Sequence, residues 1–125
     1  MQSLEIIVRP RRGCVVIELR GELDLAGVGQ LTDQVRAAFQ RSDIVVVDLT
    51  ELGFIDSSGL GALIDGYKRA NACGGRFTLV APRPNVMSVF TITGLVQRFD
   101  IRGSMEEALP AESRAREYQG AAEGR

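Results

Sequence analysis

Histidine is absent from this 125-residue chain, and so is tryptophan. Without imidazole there is no Ser-His-Asp triad and no Cys-His pair, and the commonest metal ligand is gone too. Asp and Glu can still do acid–base work, so enzymes are demoted, not excluded. Cysteine is nearly missing: Cys14 and Cys73 stand far apart and form no CxxC. Both read as reduced thiols in or near the core of a cytosolic protein. No charge of one sign prevails, with 15 Lys and Arg against 16 Asp and Glu. Bulk charge therefore gives no reason to expect direct nucleic-acid binding, and the partners expected are proteins or small molecules. No apolar run is long enough to span a bilayer. Met1-Gln2-Ser3-Leu4-Glu5 lacks the basic start and apolar stretch of a signal peptide. A cytoplasmic protein without a membrane segment is the expectation.

What is present suffices for one domain that buries a core without metal or disulfide staples. The chain is organised around residues 44–75. Ile44-Val45-Val46-Val47 is a continuous β-branched run suited to a strand buried on both faces. A short connection leads to Asp56-Ser57-Ser58-Gly59, and the apolar spacing then becomes helical at Leu60, Leu63, Ile64 and Tyr67. Lys68 and Arg69 are expected in the last turn of that helix, with Gly74-Gly75 just past its end. Burial is expected at Val45, Val47, Leu63 and Ile64. Two serines thus stand where a core strand hands over to a helix N-terminus.

On the N-terminal side, Leu4, Ile6 and Val8 alternate with Glu5, Ile7 and Arg9; Pro10-Arg11-Arg12-Gly13 turns the chain; Val15, Ile17 and Leu19 resume the alternation. This is a hairpin at a sheet edge. Its arginines Arg9, Arg11 and Arg12 read as a solvated, aggregation-guarding turn before they read as a patch for an acidic partner. Asp24 is placed to cap a helix over about Leu25 to Gln40, whose apolar face is Val28, Leu31, Val35, Ala38 and Phe39. Beyond Gly75, Arg76–Val80 reads as a strand. Pro84 opens a helix of under three turns that Gly94 stops, and Val96, Phe99 and Ile101 suggest a short strand or extended segment. Ser104-Met105-Glu106-Glu107 matches a capping box before a last short helix that Pro110 ends. Residues 111–125 lose apolar periodicity and read as a flexible polar tail, leaving 1–110 as the domain. Strands alternating with helices predict an α/β fold with parallel crossovers.

The serine segment supports a bland reading and a sharper one. Gly59-Leu60-Gly61 fails as a dinucleotide loop because position 64 is Ile, and no Gly-Lys-Ser/Thr follows for a P-loop. These glycines fit better as sites where the helix start packs against a neighbouring backbone. Asp56, Ser57 and Ser58 can each cap a helix, a role worth about 1 kcal/mol. One cap needs one such residue, however, and three stand in a row. A hydroxyl at a helix N-terminus is also a favourable place for a phosphate, since free N–H groups and the positive dipole end receive an anion.

Gly21-Glu22-Leu23-Asp24, Val47-Asp48-Leu49 and Phe54-Ile55-Asp56-Ser57-Ser58-Gly59-Leu60-Gly61 together resemble the bacterial anti-sigma-factor antagonists, small proteins of one STAS domain. The resemblance covers about Leu4 to Leu109. It implies a STAS-type α/β sandwich with a mixed sheet of four or five strands and about four helices, mainly on one face. It also implies a switch without catalysis or cofactor. The unphosphorylated form would bind an anti-sigma factor, a serine kinase of the histidine-kinase-like ATPase type, and so free a sigma factor. Phosphorylation of Ser57 would end binding, and a PP2C-type phosphatase would restore it. Asp24, Asp56, Ser58 and Gly59 would form or shape the docking surface. Two alternatives remain: a STAS scaffold bound without phosphate gating in a larger signalling assembly, and a small-molecule-binding STAS domain detached from a transporter.

Overall fold

The computed structural model describes residues 3–110; the expected polar tail, 111–125, lies outside the described residues. Strands β1 (Glu5–Arg11), β2 (Cys14–Leu23), β3 (Ile44–Ile55), β4 (Arg76–Val80) and β5 (Asp100–Arg102) form one sheet in sequential order. β1 and β2 make the antiparallel hairpin, and every other neighbouring pair is parallel. The crossovers are α1 (Leu25–Arg41) and α2 (Ser57–Cys73), followed by α3 (Pro84–Ile92) and a 3-10 turn over Leu95–Gln97; α4 (Met105–Ala108) comes last. This is the expected α/β STAS fold, with five strands and four α-helices among the described residues.

The sheet faces explain the layering. Val15, Ile17 and Leu19 of β2 and Val45 and Val47 of β3 point to one side, where they meet Leu31 and Val35 of α1, Leu63 of α2 and Phe90 of α3. Each such side chain, taken fully out of water, contributes about 1.5–3 kcal/mol. Val45, Val47 and Leu63 are wholly buried as expected. Ile64 is only partly buried, because it sits at the margin of the stripe that α2 turns toward the sheet. The other sheet face carries Cys14, Val16, Val46 and Val80, and α4 with Leu109 packs there. Three helices lie on one face and one on the other.

β3 is much longer than the run Ile44–Val47 suggests, and no loop connects that run to Asp56. Two register shifts against β2, between Glu18 and Arg20 and between Gly21 and Glu22, each insert one extra residue into β3. Each bulge moves the inward position by one, so Leu49, Leu52 and Ile55 all face the helices at three-residue steps. Alternation fails there although the strand continues. Asp48 helps hold the first irregularity, its carboxylate accepting from the Thr50 N–H (3.0 Å) and hydroxyl (2.6 Å).

α2 ends at Cys73, just before Gly74-Gly75 as expected, but Lys68 and Arg69 lie a turn before its terminus and its last turn holds no cation. Gly74 caps it in the left-handed conformation (φ 72°). Two of the hairpin arginines also have partners in the chain. Arg9, with Arg20, grips the buried Glu18 carboxylate at 2.6 and 2.7 Å, and Arg12 reaches Glu106 at 3.3 Å, while Arg11 is exposed and makes no ion pair among the described residues. On β5, burial opposes ionisation of Asp100. Hydrogen bonds from Arg102 and Thr78, with the charges of Arg102 and Arg76, outweigh it and hold the carboxyl below its ordinary pKa.

The cysteines do not share one environment. Cys14 is 1% exposed, and burial pushes its thiol pKa up despite the nearby Arg76. Cys73 is exposed, against expectation, because the last turn of α2 projects beyond the core into solvent. A thiol reagent added to the folded protein is therefore expected to modify Cys73 rapidly and Cys14 only after denaturation. Peptide mapping of the labelled protein checks this; equal labelling of both would contradict the packing of Cys14.

Candidate functional site at the end of the central strands

β2 and β3 are parallel neighbours whose last residues, Leu23 and Ile55, are Cα partners. Each strand is followed by one aspartate and then a helix. The Asp24 carboxylate accepts from the Ala26 N–H at 3.1 Å and caps α1; the Asp56 carboxylate accepts from the Gly59 N–H at 3.0 Å and caps α2. The Asp56 N–H donates to the Leu23 carbonyl at 3.3 Å, tying the two junctions together. Two helix N-termini thereby open side by side at one end of the sheet. Their positive dipole ends and unsatisfied N–H groups converge there.

Ser57 is the first residue of α2 and is exposed; Ser58 is half-buried. Neither hydroxyl is hydrogen-bonded to another group among the described residues. Gly59 is buried, and a Cβ there would stand 2.7 Å from the Leu23 carbonyl oxygen and 2.9 Å from Ile55 Cγ1. The close approach that glycine permits seats α2 on the end of β2. Gly61 differs: a Cβ there meets nothing within 4 Å, and the structure offers no packing reason for it. The structure thus brings Asp24, Asp56, Ser57, Ser58 and Gly59 to one place, although Asp24 lies more than thirty positions from the others in sequence.

The surroundings are acidic. Asp24, Asp56 and nearby Glu22 make no ion pair among the described residues. Leu25 and Phe54, 74% and 44% exposed, stand beside them; motif reading passed over both, because a large apolar residue next to a strand end is expected to be core. Among the described residues, no group of three or more His, Cys, Asp or Glu is placed to hold a metal ion. No described helix is long and apolar enough to cross a membrane.

Residues 5–108 match the family model of the STAS domain. The anti-sigma F factor antagonist of Paenibacillus polymyxa is 32% identical over 109 residues, covering 86% of this chain and 93% of that protein. This chain belongs to the anti-sigma factor antagonist family. The anti-sigma F factor antagonist of Lysinibacillus sphaericus is 35% identical over 95 residues, covering 74% of this chain and 79% of that protein. The phosphorylated form of the Bacillus cell fate determinant SpoIIAA superposes with a TM-score of 0.65 at 31% identity, covering 85% of this chain and 96% of that one. Family members are non-enzymatic regulators, and membership implies an anti-sigma factor as partner.

Asp24 can act as a cap, as a docking residue, or as both, and one substitution separates these roles. Asn caps a helix about as well as Asp. If Asp24 docks, Asp24→Asn is expected to leave the thermal midpoint almost unchanged while reducing affinity for an anti-sigma factor. Calorimetry and a binding titration on the same sample check it. Normal binding by the variant would leave Asp24 a cap and nothing more.

Proposed function

We propose that this protein is a phosphorylation-gated antagonist. Its unmodified form binds an anti-sigma factor that is also a serine kinase of the histidine-kinase-like ATPase type, and so releases a sigma factor. In the modifying step the Ser57 hydroxyl oxygen bonds to the γ-phosphorus of ATP as the bond from that phosphorus to the β,γ-bridging oxygen breaks. ADP leaves, and the hydroxyl proton passes to a base of the kinase or to water. A PP2C-type phosphatase returns the serine by hydrolysis.

The observation that carries this reading is the exposed Ser57 at the N-terminus of α2, flanked by the Asp24 and Asp56 carboxylates. A phosphate there adds about −1.5 to −2 charges. The helix dipole and free N–H groups offset part of that within the fold. A docked partner whose cations already meet Asp24 and Asp56 has none to spare, and a crowded anion must find a cation or be expelled. A change at one atom thus ends binding without unfolding anything. That SpoIIAA has been solved in both unphosphorylated and phosphorylated forms supports the reading by analogy.

The test is incubation with candidate kinases and ATP, followed by intact mass and peptide mapping. A gain of one phosphate on Ser57 is expected. Phosphate on Ser58 instead would move the acceptor by one residue, and none with any kinase that binds the chain would favour an ungated scaffold.

A further inference from the structure

We infer that Leu25 and Phe54 are the apolar anchors with which this protein selects its kinase, and that the matching kinase surface is an apolar hollow with a basic rim. The inference rests on the function proposed above and names the chemistry of its partner.

Among the described residues three large apolar side chains are strongly exposed: Leu25, Phe54 and Ile92. Two of the three sit at the end of the sheet that carries Ser57. Phe54 pairs in register with Glu22, one step before the Leu23–Ile55 pair, and Leu25 follows Asp24 directly. Full burial of a side chain of this size is worth about 1.5–3 kcal/mol, of which Leu25 forgoes most and Phe54, at 44% exposure, about half. Residues that stay exposed beside an open, functional end of a fold are candidates for burial in a complex.

The charges fix what kind of surface covers them. Elsewhere on the sheet three carboxylates are matched by cations of the chain, while Asp48 is held by Thr50 and Glu5 makes no ion pair among the described residues. Glu18 pairs with Arg9 and Arg20, Glu51 with Arg83 at 3.0 Å, and Asp100 with Arg102 at 2.7 Å. At this end Glu22 is the cross-strand partner of Phe54, Asp24 precedes Leu25, and Asp56 follows Ile55; none of the three carboxylates makes an ion pair among the described residues. Unpaired carboxylates beside exposed apolar side chains are complementary to Lys or Arg beside an apolar hollow. With the rim cations already matched to these carboxylates, a phosphate on Ser57 adds charge and bulk that the seated partner has no spare cation to meet. Gating and selection are then separate: Ser57 with its flanking aspartates reports phosphorylation, while Leu25 and Phe54 decide which kinase is accepted.

The experiment uses the full chain and a kinase that phosphorylates wild-type Ser57. Leu25→Gln and Phe54→Gln, alone and combined, are compared with Ile92→Gln at the far end of α3. Binding is measured by titration, phosphorylation by initial rates, and folding by the thermal midpoint. The combined variant is expected to raise KM and Kd at least about tenfold while leaving kcat nearly unchanged. Ile92→Gln should change neither. Wild-type affinity is expected to fall with added salt, and Glu22→Gln to flatten that dependence. If Phe54→Gln fails to fold, Leu25→Gln alone carries the test, since its side chain is mostly in solvent. An unchanged KM in folded Leu25→Gln and combined variants, with Ser57 still phosphorylated, would overturn the inference and spare the gating proposal. Wild-type protein modified at no serine by a kinase it binds would instead overturn the gating proposal itself.

Discussion

Ser57→Glu is expected to bind the anti-sigma factor kinase at least about tenfold more weakly than wild type, a loss of about 1.4 kcal/mol, with little change in folding stability. Ser57 is exposed, so a longer side chain has room in the free protein. Its position at the first residue of α2 gives the new carboxylate a favourable dipole, worth a few tenths of a kcal/mol up to about 1. The free protein is thus slightly stabilised while the complex gains an anion beside Asp24 and Asp56. Ser57→Asp should behave alike, though one charge mimics phosphate only in part. Ser57→Ala should bind as tightly as wild type and take no phosphate at that position. Titration of the four proteins against one kinase decides the matter. Acidic variants that bind as tightly as wild type would put the phosphate-independent scaffold reading ahead. An alanine variant phosphorylated at the wild-type rate would move the acceptor to Ser58.

Legibility in the sequence followed periodicity. Where side chains alternate or recur at helical spacing, as from Val15 to Leu19 or Leu31 to Ala38, element and facing could be read directly. Residues 48–55 could not be read that way, because two bulges reset the facing of β3 and made a strand resemble a connection. The end of α2 could be read from Gly74-Gly75, but the spacing puts Lys68 and Arg69 one turn too late, because Ala70 to Cys73 are small, exposed or both and only Ala70 marks the buried face.

The site was legible because its chemistry is local. Asp56, Ser57, Ser58 and Gly59 are contiguous, and a strand-to-helix junction can be inferred from the change of period across them. Bringing Asp24 beside them takes the parallel pairing of β2 with β3, which spacing alone suggests but does not measure. Leu25 and Phe54 were invisible for a physical reason. Composition and period describe which residues can be buried, whereas exposure depends on where the neighbouring strand and helix stop. The same holds for the two glycines: one is forced by a contact thirty-six residues back in the chain (Leu23 to Gly59), and the other meets nothing.

That contrast yields opposite outcomes at positions 59 and 61. Gly59→Ala places a methyl 2.7 Å from both the Leu23 carbonyl oxygen and Leu23 Cγ, and 2.9 Å from Ile55 Cγ1. The carbonyl is backbone, and it already accepts the Asp56 N–H, so it cannot turn aside cheaply. Overpacking of this kind costs about 1–3 kcal/mol, and the higher helix propensity of alanine returns up to about 1. Net destabilisation of about 1–2 kcal/mol should lower the thermal midpoint by roughly 4–9 °C in a chain of this size. Because α2 must lift away from β2 to make room, Ser57 is displaced too, and kinase affinity should fall with stability. Gly61→Ala adds a methyl to open space on the same helix. There only the propensity term remains, so the midpoint should rise by a few degrees, with binding preserved unless the partner itself needs that space. Thermal unfolding of the two single variants beside wild type is the check. A Gly59→Ala protein as stable as Gly61→Ala would mean that the helix start does not rest on Leu23, and the seat that presents Ser57 would have to be sought elsewhere.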